Sequence, residues 1–244
     1  MRDLQAVLFD LDDTLHDDTT AYQSAAEEVA HEVAAEHGID AMALKAAYVA
    51  EAEGFWKRLS PEQLRTSLSK VRPQLWLNAL RTVGLDDEAL ARRSANNYYL
   101  YRKRHLQLFP GAVDLLQTLR ARGIKLGILT NGVAETHHEK IKLLELAERF
   151  DAIFIADEVG MLKPDPLLFA HACRELHSPP SASAMVGDRY ERDMTGALEA
   201  GLYTVWMNVR NETLPDGARP PHETVATLPE VAAALSRLGT AHAG

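Results

Sequence analysis

The sequence holds a single cysteine, Cys173, in 244 residues. A lone thiol closes no internal disulfide and builds no thiolate metal cage, so a disulfide framework is excluded and a reducing cytoplasm is the expected setting. Long apolar runs are also missing, since none approaches the roughly 20 residues a membrane-spanning helix needs. The N-terminus, Met1-Arg2-Asp3-Leu4, shows no signal-peptide pattern, and its short apolar stretch stops at Asp10, Asp12 and Asp13. Positive charge is in deficit: 26 Lys and Arg stand against 35 Asp and Glu, a net charge of −9. That balance argues against a nucleic-acid polymer or an anionic membrane as partner and leaves a small molecule. Internal repeats and low-complexity tracts are absent as well. The remaining composition is that of a globular protein, long enough for one large domain or a core with an insert.

Residues 4–9 are mostly apolar and end abruptly at carboxylates, the texture of a strand buried on both faces of a parallel sheet. The same texture returns at Lys125–Thr130, Ala152–Ala156, Ser183–Gly187 and Leu202–Met207. Helical patterns lie between these runs. Ala112–Arg122 follows Pro110-Gly111 and stops at Gly123, while Pro166–Leu176 has Asp165 as N-cap and Pro166 at its first position. Alternating strands and helices predict an α/β fold with a parallel sheet. Residues 19–104 contain no convincing strand. Breaks at Gly38-Ile39-Asp40, Ser60-Pro61 and Gly84-Leu85-Asp86 divide them into about four helices. The expected organisation is a core of residues 1–18 and 105–244 with an all-helical insert at 19–104, and a frayed tail at Gly239–Gly244.

Open α/β sheets bind ligands at the carboxyl ends of their strands. Four strand ends here carry notable residues: Asp10-Leu11-Asp12-Asp13-Thr14, Thr130-Asn131-Gly132, Lys163-Pro164 and Gly187-Asp188 followed by Asp193. Parallel strands bring all four sets to one edge. Asp10, Asp12, Asp188 and Asp193 then crowd negative charge into a small volume, which is costly without protons or a cation. Lys163 supplies one positive charge and leaves room for a hard divalent ion. An oxygen-only ligand set points to Mg²⁺, which commonly shares its shell with a substrate phosphate. The Thr130 hydroxyl, nearby backbone N–H groups and Lys163 suit the other phosphate oxygens.

These strings, Asp10-x-Asp12-x-Thr14, Thr130, Lys163-Pro164 and Gly187-Asp188 with Asp193, resemble in order the four motifs of the haloacid dehalogenase superfamily. The resemblance spans nearly the whole chain, because members with a helical cap insert it between the first and second motifs. It implies a Rossmann-like core with an inserted helical cap, and the stretches around Asp10 and Thr130 look most like small-molecule phosphatases. By the same resemblance Asp10 is the nucleophile that takes the phosphoryl group, and Asp12 is the general acid and then the base. Neighbouring negative charge is expected to raise the Asp12 pKa. Thr14 braces the turn, Thr130, Asn131, Gly132 and Lys163 hold phosphate, and Mg²⁺ sits on Asp10, the Asp12 carbonyl and Asp188, with Asp193 behind them. The implied activity is hydrolysis of a small phosphomonoester: a nucleoside monophosphate, a sugar phosphate or phosphoglycolate.

Several other readings stand beside this one. A sugar phosphomutase uses the same first step; a dehalogenase lacks the acid at the Asp12 position; a phospho-aspartate signalling module is shorter and has no helical insert. Plainer expectations cover the remaining residues. His137-His138 reads as a surface pair, because adjacent helical residues point about 100° apart. Cys173 packs along its helix, Trp206 and Met207 fill the core, and Arg102–His105 forms a solvated face or a hinge. In the helical insert, Trp56 and Arg58 stand near an inter-helix turn and are candidates for substrate specificity, against packing at a helix end. Monomer and homodimer both stay open.

Overall fold

Ala6–Phe9 form the first strand, β1, and all four residues are buried. A computed structural model describes residues 4–58 and 68–240 of the chain. Around β1 lie β2 (Lys125–Thr130), β3 (Ala152–Ile155), β4 (Ser183–Gly187), β5 (Tyr203–Met207) and β6 (Glu223–Val225). All pair in parallel, in the order β3-β2-β1-β4-β5-β6. Each strand of such a sheet needs a crossover, and β1 is covered on both edges and both faces, hence its unbroken apolar run. The three-residue β6 has no such run and was not legible in the sequence. By contacts the chain divides into two compact units, Met1–Asp17 with Leu108–Gly244, and Asp18–Gln107.

The described residues of the second unit form helices joined by short turns, with no strand among them: α1 (Asp18–His37), α2 (Ala41–Lys57), α3 (Leu68–Thr82) and α4 (Glu88–Arg104). Glycine breaks and aspartate caps separate them. Gly38 and Gly84 adopt positive φ, and the side chains of Asp40 and Asp87 accept from the first free N–H groups of α2 and α4. Ser60-Pro61 and the tail beyond residue 240 lie outside the described residues. The core of this unit is alanine-rich, with Tyr48 stacked on a fully buried Trp76 at 3.9 Å between ring centroids. Only part of the basic run Arg102–His105 is the solvated face expected: Arg104 is exposed, but Arg102 is largely buried. Arg102 meets Asp18 at 2.5 Å with both side chains 14% exposed, Lys103 lies over the Tyr99 ring, and Arg104 pairs with Glu28. The periodicity of α4 cannot show that α1 supplies an acidic face opposite it.

Around the sheet run α5 (Ala112–Ala121), α6 (Ala134–Leu143), α7 (Pro166–Glu175), α8 (Thr195–Ala200) and α9 (Leu228–Thr240). Asp165 caps α7 through Leu167 N–H at 2.9 Å, and Gly123 follows α5 with φ 75°. Cys173 is buried among Leu8, Phe169 and Met185. At the opposite edge from the strand ends of interest, Asp151 ties β2 to β3. Its carboxylate accepts from Lys125 Nζ at 2.8 Å and from Leu126 N–H at 2.9 Å. Burial works to raise its pKa, but the hydrogen bond from Lys125 and that from Leu126 outweigh it and hold the pKa below 3.8. A depressed carboxylate stabilises the fold above its unfolded pKa and loses that contribution as pH falls through the folded one. Asp151→Ala is expected to lower the unfolding free energy by about 1 kcal/mol at neutral pH. Urea titrations should show the difference shrinking at pH values below 3.8; a pH-independent difference would contradict the ionic origin.

Candidate active site

The strand order reverses at β1, so the carboxyl ends of β1, β2 and β4 border the crevice where such sheets take ligands. Asp10 follows β1 directly and Asp188 follows β4, each buried. Lys163 Nζ, also buried, lies 2.6 Å from Asp10 Oδ1 and 2.6 Å from Asp193 Oδ1. The second oxygen of Asp193 accepts from Arg189 N–H at 2.9 Å. That carboxylate fits because Gly187 has no side chain: a Cβ there would lie 2.4 Å from Asp193 Cγ. Carboxylate oxygens of Asp10, Asp188 and Asp193 fall within 4.8 Å of one another.

Such crowding disturbs protonation. Burial, opposed by Lys163 and reinforced by Asp193, pushes Asp10 up to about 7. Burial, then Asp10 and Asp193, put Asp188 well above the usual carboxylate range. For Lys163 burial works downward, but Asp10 and Asp193 raise its pKa and keep it charged. The cluster carries more negative charge than Lys163 neutralises.

Thr130 ends β2 and is buried. Asn131 next to it uses its side chain to hold Lys163, accepting from the Lys163 N–H at 2.8 Å and donating to its carbonyl at 2.9 Å. Gly132 makes room for His137, whose Cε1 would lie 1.8 Å from a Cβ at that position. The bracing expected of Thr14 is not there: its hydroxyl is fully buried and makes no hydrogen bond. The turn is closed instead by the backbone, with Asp13 at φ 58° donating to the His16 carbonyl.

Asp12 departs furthest from expectation. Its side chain is 30% exposed and set among a lysine and two histidines. Lys140 Nζ lies 2.7 Å from both carboxylate oxygens, His16 Nε2 is 2.8 Å from Oδ1, and His137 Nε2 is 3.5 Å from Oδ2. Burial works upward on its pKa, but Lys140, then His137 and His16, hold it well below the usual carboxylate range. The neighbours that decide its charge are Lys140 and the two histidines, not the carboxylate two residues away. Nor is His137-His138 a surface pair. The 100° between them turns His138 outward to Glu158 and His137 inward, where Lys140, three residues on, shares its face.

Arg210 also escaped the sequence reading. It stands in the loop after β5, on a turn stapled by Asn208 to Glu212, and reaches Asp188 Oδ2 at 3.1 Å and Asp13 Oδ2 at 2.6 Å. No motif or periodicity marks it. Trp206, buried as expected, also donates its indole N–H to the Asp188 carbonyl at 2.8 Å. Trp56 and Arg58 belong to the helical unit, at the end of α2, where Trp56 packs edge-on against Phe55 and Arg58 is exposed.

The family model for haloacid dehalogenase-like hydrolases matches residues 4–201. The chain belongs to that family. A phosphoserine phosphatase of Thermus thermophilus is 32% identical over 93% of the chain and 98% of its own length. The N-acylneuraminate-9-phosphatase of Homo sapiens is 32% identical over 96% of the chain and 95% of its own. Among solved structures, the magnesium-bound YfnB of Bacillus subtilis, described as a HAD-hydrolase, superposes with a TM-score of 0.74 at 25% identity, covering 96% and 99% of the two chains. With these relatives, the chain is a phosphatase of the haloacid dehalogenase family. Among the described residues no helix is long and apolar enough to cross a membrane.

Phosphatases of this family generally use a divalent metal, and the cluster fits one. Its donors are all oxygen, its excess charge is negative, and two of its carboxylates are driven toward protonation by burial and by neighbouring carboxylates. A divalent ion bound there would replace those protons. Because Asp10 is raised in the folded state, the metal-free fold loses stability as pH rises from 3.8 toward about 7. Mg²⁺ bound at this cluster would therefore raise the melting temperature by an amount that grows as pH rises through about 7. Thermal melts with Mg²⁺ and with EDTA across that range check it; a shift independent of pH would argue against Asp10 as a ligand.

Proposed function

We propose that the chain hydrolyses a small phosphomonoester through a phosphoryl group carried on Asp10, with Mg²⁺ bound. The observation that carries this reading is Asp10 itself, buried at the end of the central strand, 2.6 Å from Lys163 and within a three-carboxylate cluster. Asp10, Asp188 and the Asp12 carbonyl would hold the ion, which when bound offsets charge on the cluster and the transferring phosphoryl group. Asp10 Oδ attacks phosphorus as the ester P–O bond breaks, and Asp12 passes a proton to the leaving oxygen. Asp12 then takes a proton from water as that water attacks phosphorus and the Asp10 O–P bond breaks. The net change is ester plus water to alcohol plus phosphate.

The surrounding residues suit those steps. Lys163 offsets charge on Asp10 and on the phosphoryl oxygens, while the Thr130 hydroxyl and the N–H groups of Asn131 and Gly132 receive the other oxygens. Asp193 holds Lys163 in place, and Thr14 is buried within the turn after β1. The depressed pKa of Asp12 suits the base of the second step; a phosphate dianion arriving beside it favours the protonated acid of the first. The helical unit, Asp18–Gln107, acts as a cap that carries substrate selection, with Trp56 and Arg58 as its candidate contacts. The phosphoserine and N-acylneuraminate 9-phosphate of the relatives' names join sugar phosphates, nucleoside monophosphates and phosphoglycolate as substrates to try. The single buried thiol suits a reducing cytoplasm.

Phosphate release from that panel, with Mg²⁺ or EDTA, tests the reading. Turnover should require Mg²⁺ and fall on the order of 1000-fold or more in Asp10→Asn, the scale seen when a covalent nucleophile is lost. Release that survives Asp10→Asn would rule out the covalent route.

A further inference from the structure

We propose that Lys140 is a positioning residue, one that fixes the carboxylate of Asp12 for proton exchange with the leaving group. The proposal rests on the phosphatase reading above and extends it to a residue outside the four motifs. Lys140 sits on α6, 128 positions from Asp12 in sequence, with its side chain only 5% exposed. Burying an ammonium is costly, and where only packing is needed an apolar residue of similar volume serves as well or better. Here Nζ is 2.7 Å from each Asp12 oxygen. A cation placed evenly between the two oxygens resists rotation of the carboxylate about its own axis, as a contact to one oxygen cannot.

The neighbours complete the hold unevenly. His16 Nε2 takes Oδ1 at 2.8 Å, while His137 Nε2 stands back from Oδ2 at 3.5 Å. Both oxygens are thus held, Oδ1 by Lys140 and His16 and Oδ2 by Lys140 and, at longer range, His137. The geometry has its own supports. Asp157 accepts from Ala134 N–H at the start of α6 at 3.0 Å, and Gly132 leaves the space His137 occupies. His137 and Lys140 then face Asp12 together from one side of the helix, while His16 comes from the turn that follows β1.

A residue that orients the proton donor matters in proportion to how much the leaving group needs a proton. Benzyl phosphate releases an alkoxide that must be protonated; p-nitrophenyl phosphate has a ring of similar size but releases a phenolate that leaves without one. In Lys140→Met, kcat/KM measured on the Mg²⁺-loaded full chain should fall at least tenfold further on benzyl phosphate than on p-nitrophenyl phosphate. Asp12→Asn should show the same asymmetry. A Lys140 that only stabilises the fold would lower both rates in step, so parallel losses, or no loss, would overturn the proposal. Circular dichroism melts establish that the variant is folded, and Lys140→Gln replaces it if it is not, with the same asymmetry expected. Turnover by the wild type alongside parallel losses sinks this proposal alone. A wild type that releases no phosphate from either ester sinks the phosphatase mechanism and this proposal with it.

Discussion

The bridge from Lys163 to Asp10 and Asp193 is the contact on which the rest of the site depends. Three carboxylates with oxygens within 4.8 Å of one another would expel each other from a buried pocket if nothing opposed them. The ammonium at 2.6 Å from two of them offsets part of that cost. Asn131 fixes the Lys163 backbone from the end of the neighbouring strand, and Gly187 leaves space for the Asp193 carboxylate. The sheet order makes these contacts available, since β1, β2 and β4 are adjacent and end at the same edge.

Charge at that edge is divided, not pooled. Asp10 and Asp12 are two residues apart, yet burial and fellow carboxylates raise one while a lysine and two histidines lower the other. Two like groups driven in opposite directions are the electrostatic basis on which acid–base chemistry assigns different roles to similar side chains. The division is local in origin. The turn after β1 folds His16 back onto Asp12, and α6 brings Lys140 and His137 from beyond β2. On the far side of the cluster Arg210 balances Asp188 and Asp13 from the loop after β5.

Most of the core was legible in the sequence because its signals are short-range. The apolar runs at Ala6–Phe9 and Ser183–Gly187 read as buried strands because a central parallel strand has no solvent face to leave polar. Asp40, Asp87 and Asp165 mark helix starts because capping acts within a few residues. The sheet edge was accessible to the same reasoning, since parallel strands must end on one side.

What the sequence alone determined, then, were the α/β alternation, the helical character of the described residues within 19–104 and the collection of Asp10, Thr130, Lys163 and Asp188 at one edge. Tertiary structure alone decided which charges meet. Lys140 reads as an ordinary helical lysine, Arg210 as a loop arginine and His137 as half of an exposed pair. Periodicity says which residues share a helix face but not what that face will oppose. The Asp12 environment is set by a contact 128 positions away, so no local pattern carries the depression of its pKa. The same holds for Arg102, whose partner Asp18 lies a whole helical unit earlier in the chain.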